Sequence, residues 1–252
     1  QICSEAVGII HRKWRDKKNL VLGLATGRTP LGVYAKLIDL HKQERMDFSD
    51  VRSFTLDEYL GLTKDHPQSF AFYMEKNFFS QINIKRENVH HLPGKPKNIE
   101  NACRKYEQTI QVSGGIDVQI LGIGANGHIG FNEPSSSLAS RTRVKTLTME
   151  TIESNRRFFE KKEDIPRFCL TMGIGTIMEA RTILLLAFGR NKGAALAQSI
   201  EGPVTSSVPA SVLQLHPDVK IIIDEDAASS LRQKDYYKWV YTNKNEVNDY
   251  LS

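Results

Sequence analysis

Buried apolar runs alternate with helix-patterned segments along the 252 residues, and this alternation predicts an α/β fold. We read a single Rossmann-like, doubly wound, mostly parallel sheet with helices on both faces and right-handed crossovers. Two further observations support it. The runs Leu20–Leu24 and Asp117–Ile123 are apolar nearly throughout, as strands covered on both faces are. Glycine-bearing turns follow both runs, and ligands of open α/β sheets bind at the carboxyl ends of strands. No internal repeat, low-complexity segment or linker divides the chain, so one domain is expected over residues 1–252.

Ile9, Ile10 and Trp14 give Gln1–Lys17 a helical face, and Leu20–Leu24 follows as a strand. Ala25-Thr26-Gly27-Arg28-Thr29-Pro30 then leads into a helix with Leu31, Tyr34, Leu37 and Ile38 on one side. Thr29 suits its N-cap and Pro30 its first turn. Such a turn presents backbone N–H groups to a phosphate, although it also reads as a purely structural connection. It lacks the lysine of a nucleoside-triphosphate loop. Val51–Leu56 is the next strand, with Asp57-Glu58-Tyr59 at its carboxyl end. A carboxylate there is placed for base work, or serves as a helix cap or solvated turn.

A helix around Ser69–Phe79 and a strand near Val89–Leu92 precede the central strand. Beyond Pro134 come the polar run Ser135–Arg143, an extended Val144–Met149 and a basic and charged segment to Asp164. Strand and helix then repeat as Cys169–Met172 with Gly173–Ala180, Thr182–Phe188 with Lys192–Ile200, and Val219–Ile223. Pro203–Pro209 is a loop before a short helix at Ala210–Leu215, and the tail from Lys234 is aromatic, charged and weakly patterned.

The composition, 40% hydrophobic and 25% charged, is that of a globular chain. A formal charge of +5 leans toward anionic partners, but no Lys/Arg block suggests nucleic acid. No run of about 18 apolar residues suggests a membrane span. The three cysteines, Cys3, Cys103 and Cys169, are odd in number and lack metal spacing. They point to a reducing, cytoplasmic setting without a zinc site.

The most informative stretch is Leu121–Pro134, LGIGANGHIGFNEP. Gly122, Gly124 and Gly127 spell the dinucleotide fingerprint. Gly130 and Pro134 oppose the helix that fingerprint needs, and Val144-Lys145-Thr146 occupies the region where its acid belongs. The alternatives are a catalytic His128–Glu133 pair, or a structural histidine beside a surface glutamate.

Gly-His-Ile-Gly-Phe-Asn-Glu-Pro after a G-x-G strand end resembles the signature of the glucosamine-6-phosphate deaminase family, and Leu56-Asp-Glu-Tyr59 resembles its second signature. The resemblance runs from about Leu20 to Asp224. It implies aldose–ketose isomerisation with hydrolytic deamination, converting glucosamine 6-phosphate to fructose 6-phosphate and ammonia without metal or cofactor. In these terms Asp57 is the proton-abstracting base. His128 opens the sugar ring, Glu133 orients and stabilises the imidazole, and Asn126 accepts its N–H. Thr26, Gly27, Arg28 and Thr29 form the phosphate loop, with Arg28 standing where the family has glycine or serine. Arg157 and Lys192 are further phosphate cations, and residues 147–168 are a lid. The family also implies a helix around Ile99–Val112 and a short strand ahead of the first helix.

Competing readings are a 6-phosphogluconolactonase, which shares the fold but needs no C2 base, and a non-catalytic sugar-phosphate sensor. Arg143 and Lys145 flank Val144 and in a strand share one face, behind the serine-rich run containing Ser136. They are two solvated bases or a second phosphate surface. The resemblance implies the latter, an allosteric site for N-acetylglucosamine 6-phosphate in a homo-oligomer such as a hexamer.

Overall fold

The computed structural model describes residues 2–156, 159 and 165–250. The first helix, α1 (Ile2–Asp16), buries Ile9 and Ile10 against the sheet. Strand β1 (Val21–Leu24) leads to α2 (Leu31–Lys42), and β2 (Arg52–Thr55) runs on through Leu56 into β3 (Asp57–Tyr59). Then come α3 (Phe70–Asn77), β4 (Val89–His90), α4 (Ile99–Val112) and β5 (Val118–Leu121). After the central loop follow β6 (Arg143–Thr146), α5 (Met149–Asn155), β7 (Phe168–Thr171) and α6 (Ile174–Met178). The chain closes with β8 (Thr182–Ala187), α7 (Gly193–Glu201), β9 (Val219–Ile223) and α8 (Lys234–Tyr250).

The main sheet has the order β4-β2-β1-β5-β8-β9, every pair parallel. Counting only its own strands, the order is 3-2-1-4-5-6, so the winding reverses between β1 and β5, the place at which ligands of such open sheets bind. Side chains of each strand alternate between two cores. Ile183, Leu185 and Ala187 of β8 join Tyr106, Ile110, Ile174 and Leu196 on one face. Leu184 and Leu186 join Ile10, Tyr34, Leu37 and Phe78 on the other. Both faces are therefore covered, which is why these strands read as unbroken apolar runs.

Three expectations are corrected. Asp57–Tyr59 does not merely end the second parallel strand. It forms β3 of a separate antiparallel sheet, β3-β7-β6, with Asp57 opposite Thr171. Leu56 is the pivot between the sheets, donating to Leu24 O at 2.9 Å and accepting from Met172 N at 2.8 Å. Cys169–Met172 accordingly belongs to this second sheet and not to the parallel repeat, because a short apolar run does not reveal its partner. The tail, read as weakly patterned, is the helix α8, with Tyr236, Trp239 and Tyr241 exposed.

Smaller boundary shifts are ordinary. Helix α2 begins at Leu31 with Pro30, not Thr29, at the cap position. Ala210–Leu215 lies in a 3-10 turn spanning Pro209–Leu215. Residues 157, 158 and 160–164 of the expected lid lie outside the described residues. Among the described residues no helix is long and apolar enough to cross a membrane.

Candidate active site

The loop after β5 is built to hold an imidazole against a carboxylate. Gly124 N donates to His128 O at 2.9 Å, closing a tight turn, and Gly127 sits at φ 81 within it. A Cβ at Gly124 would lie 2.3 Å from His128 Cε1, so only glycine lets the ring lie over this backbone. Beyond the histidine the loop is clamped by Asn132, which is fully buried. Its Nδ2 donates to Ile129 O and Met172 O, each at 2.9 Å, and its Oδ1 accepts from Arg143 Nη1 at 2.9 Å.

His128 Nδ1 approaches Glu133 Oε2 at 3.3 Å, the carboxylate buried and the ring about one-fifth exposed at 22%. The contact is an ion-pair approach rather than an aligned hydrogen bond. Asn126 Nδ2 donates to the same oxygen at 2.9 Å, while its Oδ1 accepts the backbone N–H of His128 at 3.2 Å. The expectation that the amide oxygen takes the imidazole N–H is thus replaced, since the amide bridges carboxylate and main chain instead. Burial alone would raise the Glu133 carboxyl. The His128 ring, Thr151 and Asn126 outweigh burial and bring it down to about 2, so Glu133 is an anion.

The two neighbouring carboxylates on β3 have opposite surroundings. Glu58 turns toward α3, accepting N–H bonds from Tyr59, Phe70 and Ala71 at 2.8, 3.0 and 2.9 Å. It caps that helix, together with Ser69, whose hydroxyl accepts from Phe72 N. Asp57 lies on the opposite face of the strand, 6% exposed, with no hydrogen bond to its carboxylate among the described residues. Burial, and then the nearby Glu58 charge, raise it to about 8.

Asp57 and the histidine loop meet through Thr171. This residue is the antiparallel partner of Asp57, and its Oγ1 accepts Phe131 N at 3.1 Å. The buried Cys169 thiol is pushed upward first by burial and then by the neighbouring Asp57 and Glu133 carboxyl groups. Both thus lie near Cys169, which packs in one cluster with Tyr59, Phe70, Phe131 and Phe159, whose rings are in contact.

The remaining predicted residues fall in two groups. Thr26, Gly27, Arg28 and Thr29 form the turn after β1, with Gly27 at φ 96 and both Gly27 and Arg28 exposed. Tyr34 and Tyr73 donate to the carbonyls of Ala25 and Gly27 at 2.5 and 2.6 Å, tying those oxygens back into the protein. Lys192 stands at the start of α7, after β8, half-buried and without an ion pair among the described residues. Desolvation lowers its pKa. The turn, the histidine loop and Lys192 thus follow three adjacent strands, β1, β5 and β8. Arg157 lies outside the described residues.

Ser136, Arg143 and Lys145 lie to one side. Arg143 and Lys145 do share a face of β6, both half-buried. Ser136 is buried, with its hydroxyl unpartnered among the described residues. Arg143 also borders a groove of about 530 Å³ between α4 and β6, lined by Cys103, Glu107, Arg141 and Val144.

Sequence reasoning missed Thr151, which donates to Glu133, and Thr171, which links the two loops. Thr148 ahead of the short α5, a recognisable N-cap, was the signal available for the first.

Residues 1–222 match the family model for glucosamine-6-phosphate isomerases and 6-phosphogluconolactonases. The glucosamine-6-phosphate deaminase of Thermoanaerobacter pseudethanolicus is 53% identical over 235 residues, covering 93% of each chain. That of Shewanella woodyi is 50% identical over 240 residues, covering 95% of this chain and 91% of its own. A solved structure of a monomeric glucosamine-6-phosphate deaminase superposes with a TM-score of 0.89 at 43% identity, over 91% of this chain and 95% of that one. A 6-phosphogluconolactonase from Thermotoga maritima shares the fold, with a TM-score of 0.68 at 22% identity, over 88% of this chain and 94% of that one. The chain belongs to the glucosamine-6-phosphate isomerase/6-phosphogluconolactonase family.

Proposed function

We propose that the chain converts glucosamine 6-phosphate and water to fructose 6-phosphate and ammonia, as the names of its half-identical relatives suggest. The observation that carries the reading is Asp57, a buried carboxylate without a donor, joined through Thr171 to a loop bearing a histidine–carboxylate pair.

In this reading His128 delivers a proton to the ring oxygen and removes one from the anomeric hydroxyl, while the Glu133 anion stabilises its charged form. Asp57 takes the C2 proton of the open-chain amino aldose and returns it at C1, while a proton passes from the C2 ammonium to O1, leaving a hydroxyl at C1 and an iminium at C2. Water adds at C2 and ammonia leaves, giving the ketose. With its pKa raised to about 8, Asp57 holds its proton at neutral pH in the free site, and its ionised form is a stronger base than an ordinary carboxylate. The substrate's own ammonium at C2 favours its ionised form when bound. Thr26–Thr29, Lys192 and Arg157 anchor the phosphate, so remote binding energy positions the reacting carbons. No step calls for a metal or cofactor.

In a homo-oligomeric reading, Ser136, Arg143 and Lys145 would form a second phosphate surface for N-acetylglucosamine 6-phosphate. The relative described as monomeric favours the other reading, a single chain without such control. A cytoplasmic setting accords with three free cysteines. The test of the activity is incubation with glucosamine 6-phosphate and, separately, 6-phosphogluconolactone. Release of ammonia with fructose 6-phosphate is expected, and lactone hydrolysis without ammonia release would overturn the reading.

A further inference from the structure

The Glu133 carboxylate receives donors on both oxygens, from two different segments. Its Oε2 takes Asn126 Nδ2 at 2.9 Å and faces His128 Nδ1 at 3.3 Å. Its Oε1 accepts from Thr151 Oγ1 at 2.5 Å, on α5, with Thr148 Oγ1 farther off at 3.5 Å. Thr148 also lies 3.1 Å from Thr151 Oγ1 and caps α5 by accepting Thr151 N at 3.2 Å. A hydroxyl has one proton to give. That of Thr148 goes to the nearer acceptor, Thr151, which leaves the Thr151 proton for the carboxylate. The arrangement is dry, with Thr151 and Glu133 exposed by only 6% and 2%.

The terminal torsion of a glutamate has a broad, two-fold preference, so donors rather than rotamer energetics set the plane of its carboxylate. On the loop side the His128 contact is not itself an aligned hydrogen bond. The plane that Oε2 presents to the imidazole is therefore set jointly by Asn126 on the near oxygen and Thr151 on the far one. We propose that Thr151 is a positioning residue that holds the Glu133 carboxylate against His128, so that the segment opening the expected lid forms part of the acid–base apparatus. The proposal rests on the reading of His128 and Glu133 as the working pair. A hydrogen bond to the charged form also keeps that form charged. Without it Glu133 is both less ionised and less aligned. The phosphate turn and Lys192 stand on other elements and are untouched.

The experiment measures kcat and KM against pH for Thr151→Val, Thr151→Ser and Glu133→Gln, and for Thr151→Val combined with Glu133→Gln. Thr151→Val, isosteric but without the hydroxyl, should lower kcat by about ten-fold or more while KM stays within about two-fold. The acidic limb of its kcat/KM profile should move up by about one pH unit. Thr151→Ser should restore most of the activity, and Thr151→Val should cost nothing further in the Glu133→Gln background. An unchanged kcat in Thr151→Val, or an equal loss with and without Glu133, would overturn the proposal. Thr151→Ala makes the same comparison should the valine disturb folding, which a thermal melt reports. Full kcat in Glu133→Gln would instead overturn the reading of the pair itself, and so separates the two failures.

Discussion

Adjacent carboxylates on one short strand are put to different uses by what faces them. Glu58 is buried, which raises its pKa, but three backbone N–H groups offset part of that cost. Asp57 has no such relief, and its carboxyl rises from 3.8 to about 8. The consequence for stability has a definite sign. Between these two values the unfolded chain has lost the Asp57 proton while the folded one keeps it, so stability falls as pH rises across that window. Asp57→Asn should therefore unfold at higher temperature than the native chain at pH 8–9, by roughly 2–5 kcal/mol in stability, and show little advantage near pH 4. Thermal melts at both ends check this, and equal melting shifts at the two pH values would contradict it. Glu133 works in the opposite sense. Held at about 2, it contributes stability above its usual 4.5 that is lost as pH falls toward 2.

At the scale of elements, legibility followed burial. Strands covered on both faces announced themselves as apolar runs, and β1, β5 and β8 were read close to their observed limits. The second sheet was hidden because β7 is equally apolar, and antiparallel pairing with β3 leaves no mark in a four-residue run. The histidine loop was legible through its glycines, whereas the hydroxyls of α5 that reach Glu133 carry no periodic signal.

Strand β6 was read correctly in its alternation, and its two cations have different attachments. Arg143 is already engaged with Asn132, the clamp of the histidine loop, while Lys145 has no ion pair among the described residues. An effector acts only by binding two states differently. In the oligomeric reading, the substrate curve is sigmoidal and N-acetylglucosamine 6-phosphate makes it hyperbolic. Lys145→Ala, which leaves the Asn132 clamp intact, should weaken that response while basal turnover persists. Steady-state kinetics with and without the effector decide the matter, and a hyperbolic curve indifferent to it would favour the monomeric reading.

At the scale of the molecule, the site is where two sheets meet. The parallel sheet places the turn after β1, the histidine loop and Lys192 on three adjacent strand ends. The chain then leaves that sheet at Leu56, and the antiparallel sheet presents Asp57 from the side. In the proposed mechanism, phosphate anchoring and ring opening belong to one sheet and C2 proton transfer to the other. The central claim is that Asp57 moves that proton. The most direct measurement is exchange of the C2 hydrogen of glucosamine 6-phosphate in deuterated solvent, followed by NMR. The native chain should exchange it and release ammonia. Asp57→Asn should still bind the sugar phosphate yet neither exchange nor release ammonia, and persistent C2 exchange in that variant would contradict the account.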